Sequence, residues 1–194
     1  MMSKGICTGE NKYAESRVYV ACLGCYNEGR LTGKTMTSNE LSEALLKAND
    51  YDGDEWHLHL HGCNQPDHDE WAIHDYDGDI ARVMSSEHPD LPDLIWMMDF
   101  VDTQTNAVPA IQLAWGIHNI PTPDDIEHVY ENMEIIEDIA DWAYETCKDC
   151  GYFEEPNGWH PINYIDWERV GNDMLMDYHY QQYGNYTYAI HSMA

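Results

Sequence analysis

Basic residues are scarce in this chain, with nine lysines and arginines among 194 residues against 36 aspartates and glutamates, a formal net charge of −27. So few cations cannot neutralise a run of phosphates, which excludes direct nucleic-acid binding. No apolar run reaches the length of a membrane span or of a signal-peptide core, and the opening MMSKGICTGENKYAES is polar. A soluble, cytoplasmic protein with no membrane partner is therefore expected. Without an export signal, the six cysteines read as reduced thiols rather than a disulfide framework. Nucleophile elbow, P-loop and HExxH motifs are all missing. Carboxylates are too numerous for any pair to mark acid and base catalysis, which needs two of them in different environments. Nothing argues for an enzyme or for a cofactor.

Acid-rich chains are commonly disordered when they lack aromatics, but seven tryptophans and fourteen tyrosines support a folded core. The acids are also unevenly spread. Through Lys47 there are five (Glu10, Glu15, Glu28, Glu40, Glu43), which leaves 31 of the 36 to the rest of the chain, facing only Arg82, Lys148 and Arg169. The sequence DYDGD occurs twice, at 50–54 and 75–79. An EF-hand loop needs glycine at its sixth position and a carboxylate at its twelfth. Counting from Asp50 and Asp75, the glycines are fourth (Gly53, Gly78) and the twelfth residues are His61 and Ser86. Both copies read as polar turns.

The pattern of elements is α+β, in small modules. Residues 1–16 read as a disordered tail. RVYVACLG (17–24), the turn YNEG and RLTGKTM make a hairpin; Thr37 and Glu40 have capping-box spacing ahead of a helix with Leu41, Ala44, Leu45 and Ala48 on one face. EWHLHLH (55–61) and EWAIHDY (70–76) read as two further strands, so 17–79 is an antiparallel sheet with a helix. Residues 80–121 read as a small helical module, DLIWMMDFV (93–101) and AVPAIQLAWGI (107–117) packing on Trp96 and Trp115. The third module, 122–194, opens with a long acidic helix over 122–151. Thr122 is its N-cap, Pro123 its first residue, and Gly151 its stop. PINYIDWERVGNDML (161–175) reads as helical in its first part, and a hairpin about Tyr183, Gly184 and Asn185 closes the chain.

His57, His59, His61 and Cys63 alternate along the predicted strand and carry zinc-ligand chemistry. Ligands two apart on a strand lie ~7 Å apart, too far to share an ion without a bend. The competing reading puts Trp56, Leu58 and Leu60 inward with the histidines on the wetter face. CLGC (22–25) and CKDC (147–150) each have knuckle spacing, but 121 residues separate Cys25 from Cys147, and a shared site could form only through the fold.

On a helix over 122–151, Asp124, Glu127, Glu131, Glu134, Asp138, Asp141 and Glu145 would fall three and four residues apart on one stripe. Six successive like-charge contacts would oppose folding by roughly 1 to 3 kcal/mol. The stripe would span roughly 32 Å with a charge about every 5 Å, comparable with the ~3.4 Å per phosphate along each strand of duplex DNA. Two other readings stay open: a zinc-binding acidic protein using the histidine strand, and a salt-adapted acidic protein of unrelated role. The near-neutral first 47 residues weigh against the second.

VYVACLGCYNEGRLTGKTM (18–36), EWAIHDYDGD (70–79) and YIDWERVGNDM (164–174) resemble, in order and spacing, segments of the ArdA antirestriction family of mobile elements. Asn172 departs from the arginine usual beside Asp173. The resemblance implies an elongated homodimer of three small modules in a bacterial host cell. It further implies a DNA mimic that inhibits type I restriction–modification enzymes by occupying the DNA cleft of the methyltransferase core. Asp50, Asp52, Asp54, Asp75, Asp77 and Asp79 would join the seven helix acids as phosphate surrogates. The family's C-terminal dimer contact, carried over to 142–155, would involve Trp142, Tyr144, Tyr152 and Phe153.

Overall fold

The computed structural model describes residues 15–49, 58–154 and 160–193. They belong to two compact units, divided in the chain between Thr105 and Asn106.

The first unit is built on a three-stranded antiparallel sheet with β1 (Arg17–Cys22) in the centre. Val18 and Val20, β-branched and alternating, are buried to within 1%, which suits them to the middle of a sheet covered on one face. A short helix, α1 (Leu23–Asn27), follows, where the sequence reads as a turn. The chain returns as β2 (Gly33–Met36), pairing Val18 with Met36 and Ala21 with Gly33. The capping box forms as expected: the Thr37 N–H donates to Glu40 Oε2 at 2.9 Å and the Glu40 N–H to Thr37 Oγ1 at 3.4 Å. It starts α2 (Ser38–Asn49), which buries Leu41, Ala44 and Ala48.

The strand expected over 55–61 is not found among the described residues. Residues 55–57 lie outside the described residues, and Leu58–His61 form a helical turn, α3. The part of the alternation that is described, Leu58–His61, is four residues long, and one helical turn accommodates it equally well. The third strand is β3 (Trp71–Asp77), antiparallel to β1 with a bulge between Tyr19 and Val20. After a 3-10 turn at Asp79–Arg82 comes α4 (Leu91–Thr103). Its N-cap Asp90 accepts the Asp93 N–H at 3.1 Å, and Leu94, Met97, Met98 and Val101 enter the core. At its far end the Asp102 carboxylate accepts the Ser16 N–H at 2.9 Å and the Ser16 hydroxyl at 2.6 Å. Ser16 is buried, so the last residue of the segment expected to be a tail is held in the fold.

The second unit starts with α5 (Ala107–Ile117), in which Ala107 to Ile111, Leu113 and Ala114 are all buried. Trp115, expected to be a core residue, is instead 38% exposed. Next comes α6 (Pro123–Asn132), opened by a Thr122–Asp125 capping box with Pro123 in its first turn. Here the expectation of one helix over 122–151 fails. Met133 is extended, Glu134–Ile136 form a strand, β4, and a new helix, α7 (Ile139–Asp149), begins at the N-cap Asp138. Two forces favour the break: the β-branched pair Ile135 and Ile136 gains a sheet partner, and Asp138 caps the new helix. The segment expected to be helical in its first part has only a 3-10 turn there, Pro161–Tyr164, and its α-helix, α8 (Trp167–Met174), comes later. It packs on α7 through Gly171, where a Cβ would meet the Ile139 carbonyl oxygen at 2.6 Å. The predicted hairpin is present as β5 (Tyr178–Tyr183) and β6 (Tyr186–His191), joined by Gly184 and Asn185. β4 pairs with the other edge of β6, so β6 is central and its Thr187 to Ile190 are buried.

Candidate functional site

The seven acids expected on one stripe are all exposed, but they occupy three elements. Asp124, Glu127 and Glu131 lie on α6, Glu134 opens β4, Asp138 caps α7, and Asp141 and Glu145 lie along α7. The stripe is thus two triplets with the same three-and-four spacing, linked by an acid on a strand. Two members also serve the backbone or a neighbour. Asp138 Oδ1 accepts the N–H groups of Ala140 at 2.8 Å and Asp141 at 2.9 Å. Glu134 accepts the indole N–H of Trp142 at 2.8 Å. Residues 106–194 contain two lysines and arginines, Lys148 and Arg169; Lys148 pairs with Glu145 at 3.5 Å.

In the first unit, Asp50, Asp52 and Asp54 lie outside the described residues, as does His57. Asp75 and Asp77 are exposed on β3. Asp79 is different: it is 7% exposed and paired to Arg82 at 3.3 Å. Burial holds its carboxyl above the usual range, opposed by Arg82 and reinforced by Asp102. The turn that separates it from Asp77 depends on Gly78, at φ 82°, a conformation that favours glycine. The second DYDGD therefore splits its acids, two outward and one inward. Asp125, beside the stripe, is held below the usual carboxylate range by hydrogen bonds from the Thr122 side chain and backbone.

Of the residues expected at a dimer contact, three pack within their own unit. Trp142 meets Tyr178 edge-on at 5.5 Å, and Tyr144 lies 5.2 Å from Phe153 and 5.3 Å from Trp167. Tyr152 is 81% exposed.

Among the described residues, the alternating histidines do not lie on a strand. His59 and His61 sit on α3, and His61 is buried, its Nδ1 accepting the Cys63 N–H at 3.1 Å. Cys63 joins other partners. Its sulfur lies 3.5 Å from Cys25 Sγ and 3.5 Å from His68 Nδ1, and that nitrogen is also 3.5 Å from Cys22 Sγ and 3.3 Å from Cys25 Sγ. The four ligand atoms all lie within 4.8 Å of one another. Burial pushes the Cys22 thiol up to about 11, and hydrogen bonding, with the Thr32 side chain foremost, draws Cys25 down to about 7. His68 was not a sequence candidate; its place beside a CxxC pair follows from the pairing of β1 with β3. Cys147 and Cys150 belong to the other unit.

Fold and surface together define an α+β protein with exposed carboxylates along α6, β4 and α7. The model of the antirestriction protein (ArdA) family matches residues 18–188, and the chain belongs to that family. No curated protein matches the chain. Membership supports an antirestriction function, exerted by inhibitors that act against restriction–modification enzymes. Among the described residues, no helix is long and apolar enough to cross a membrane.

Proposed function

We propose that the protein is a DNA mimic that, as a homodimer, occupies the DNA cleft of type I restriction–modification enzymes with carboxylates standing in for phosphates. The observation that carries this reading is the exposure of Asp124, Glu127, Glu131, Glu134, Asp138, Asp141 and Glu145 in a segment, 124–145, that holds no lysine or arginine. An exposed helix ordinarily interleaves Glu with Lys, because like charges three or four apart cost about 0.2 to 0.5 kcal/mol per pair. Keeping that cost on both α6 and α7 fits a surface shaped for a cationic partner. From Asp124 to Glu131, three charges extend over about 10 Å of helix, a spacing within a factor of two of the ~3.4 Å between phosphates on one strand. Asp75 and Asp77 extend the acidic surface of the first unit. Asp79, buried against Arg82, does not belong to it.

Competition between this protein and duplex DNA for a purified type I methyltransferase core tests the proposal. Inhibition should be relieved by raising the DNA concentration and weakened by salt, since opposite charges meet in the complex. Inhibition that excess DNA leaves unchanged overturns it.

A further inference from the structure

We propose that Cys22, Cys25, Cys63 and His68 form a closed four-ligand zinc site that holds the first unit together. The assignment is independent of the mimic surface. It shares only Cys63 with the histidine strand considered from sequence.

The size of the cluster fits. Zinc–sulfur bonds of about 2.3 Å and a zinc–nitrogen bond of about 2.0 Å in a tetrahedron place sulfurs about 3.8 Å apart and sulfur about 3.5 Å from nitrogen. The observed separations are 3.5 Å between Cys25 and Cys63 and 3.3 to 3.5 Å from His68 Nδ1 to each sulfur. The imidazole also argues against a plain thiol cluster. Buried cysteines on their own behave as small hydrophobes, but a ring nitrogen carries at most one hydrogen and can donate along one line. A nitrogen equidistant from three sulfurs is arranged around a common centre.

The surroundings supply what ligands need. His68 Nε2 faces the Glu28 carboxylate at 3.5 Å, the outer-shell contact that orients a ligating histidine. Backbone N–H groups point at two of the sulfurs: Cys25 N–H at Cys22 and Gln65 N–H at Cys63, both at 3.4 Å. Such donors suit thiolates. Gly24 leaves the space the ring fills, since a Cβ there would lie 2.5 Å from His68 Cγ. Three thiols and one imidazole, three of the four residues fully buried, select zinc over hard cations and leave no open position for catalysis. On binding, the three thiols release three protons and the zinc centre carries a net charge of −1. The site fastens the end of β1 and α1 to the 58–68 segment, closing a span of 38 residues between Cys25 and Cys63.

The test uses the full chain purified without a histidine tag, in reducing buffer free of chelator. Elemental analysis should find about one zinc per chain, and replacement by Co2+ should give the intense visible bands of a tetrahedral thiolate site. Cys63→Ser and His68→Gln should lose most of the metal, whereas Cys147→Ser should keep it. Should the first two variants fail to fold, a thiol-specific mercurial added to the wild type should release zinc as the thiols are titrated. The proposal is overturned by a folded wild type that neither carries zinc nor takes it up when supplied, by zinc retained in folded Cys63→Ser, or by a disulfide among Cys22, Cys25 and Cys63.

Discussion

The indole Nε1–H of Trp142 donates to the Glu134 carboxylate at 2.8 Å, tying the first residue of β4 to the first turn of α7. Glu134 is thereby both an exposed charge and a fixed acceptor, and the two roles are separable. Glu134→Gln keeps an acceptor oxygen and should stay within about 0.5 kcal/mol of the parent in a urea melt. Glu134→Ala loses the bond and should cost about 0.5 to 1.5 kcal/mol.

Neutralising Glu127 and Glu131 to Gln on α6, with Asp141 to Asn and Glu145 to Gln on α7, removes charge while leaving both caps intact. Two contacts remain on each helix where the unbroken stripe would have had six in all, so relief of repulsion is worth about 1 to 2 kcal/mol. Thermal melts should show equal or higher stability. Binding to a type I methyltransferase should weaken with a shallower salt dependence. A folded variant that inhibits as well as the parent would remove α6 and α7 from the contact surface.

Asp138 should behave unlike its neighbours. Because it caps α7 through two backbone N–H groups, Asp138→Ala should cost about 1 kcal/mol of stability, and Asp138→Asn only a few tenths. Chemical denaturation of the pair distinguishes a capping residue from a purely electrostatic one. Equal stability in Asp138→Ala and the parent would refute the capping role.

The Thr122–Asp125 box gives a pH signature. Hydrogen bonds from Thr122 lower the Asp125 pKa below its ordinary value of 3.8. A carboxylate with a depressed folded pKa contributes stability above the unfolded value and loses it as pH falls through the folded one. Asp125→Asn does not titrate. The gap in melting temperature between parent and Asp125→Asn, present at neutral pH, should close below pH 3.8; a gap that persists would place its origin outside this ionisation.

Local chemistry was legible in the sequence wherever a few adjacent residues decide an element. Thr37 with Glu40 fixed the start of α2, Thr122 with Pro123 the start of α6, and Gly184 with Asn185 the closing turn. The break after Asn132 was hidden because Glu131, Glu134 and Asp138 continue the helical phase of both triplets across it. Periodicity alone could not detect a strand of three residues. The signal available was Asp138, a strong N-cap three residues before Asp141, preceded by two adjacent isoleucines. Asp79 reads like Asp75 and Asp77 in the sequence, and only the turn at Gly78 sends it inward. The grouping of Cys22 and Cys25 with Cys63 and His68 depends on how β1 pairs with β3, which no short motif encodes.

The three-residue strand β4 also sets an order of events in time. Ile136 pairs with Thr187, 51 positions further along the chain, so at synthesis rates of about 5 to 20 residues per second the partner follows about 3 to 10 s later. At the start of that interval the acids of α6 are already in the chain, and those of α7 are added during it, before the strand that completes their sheet exists. The three strands of the first unit's sheet are in the chain earlier, since β1, β2 and β3 are all made by Asp77. The first sheet therefore has all its strands before the second has any, and the sheet beneath the densest part of the negative charge becomes complete only when β6 slots between β4 and β5.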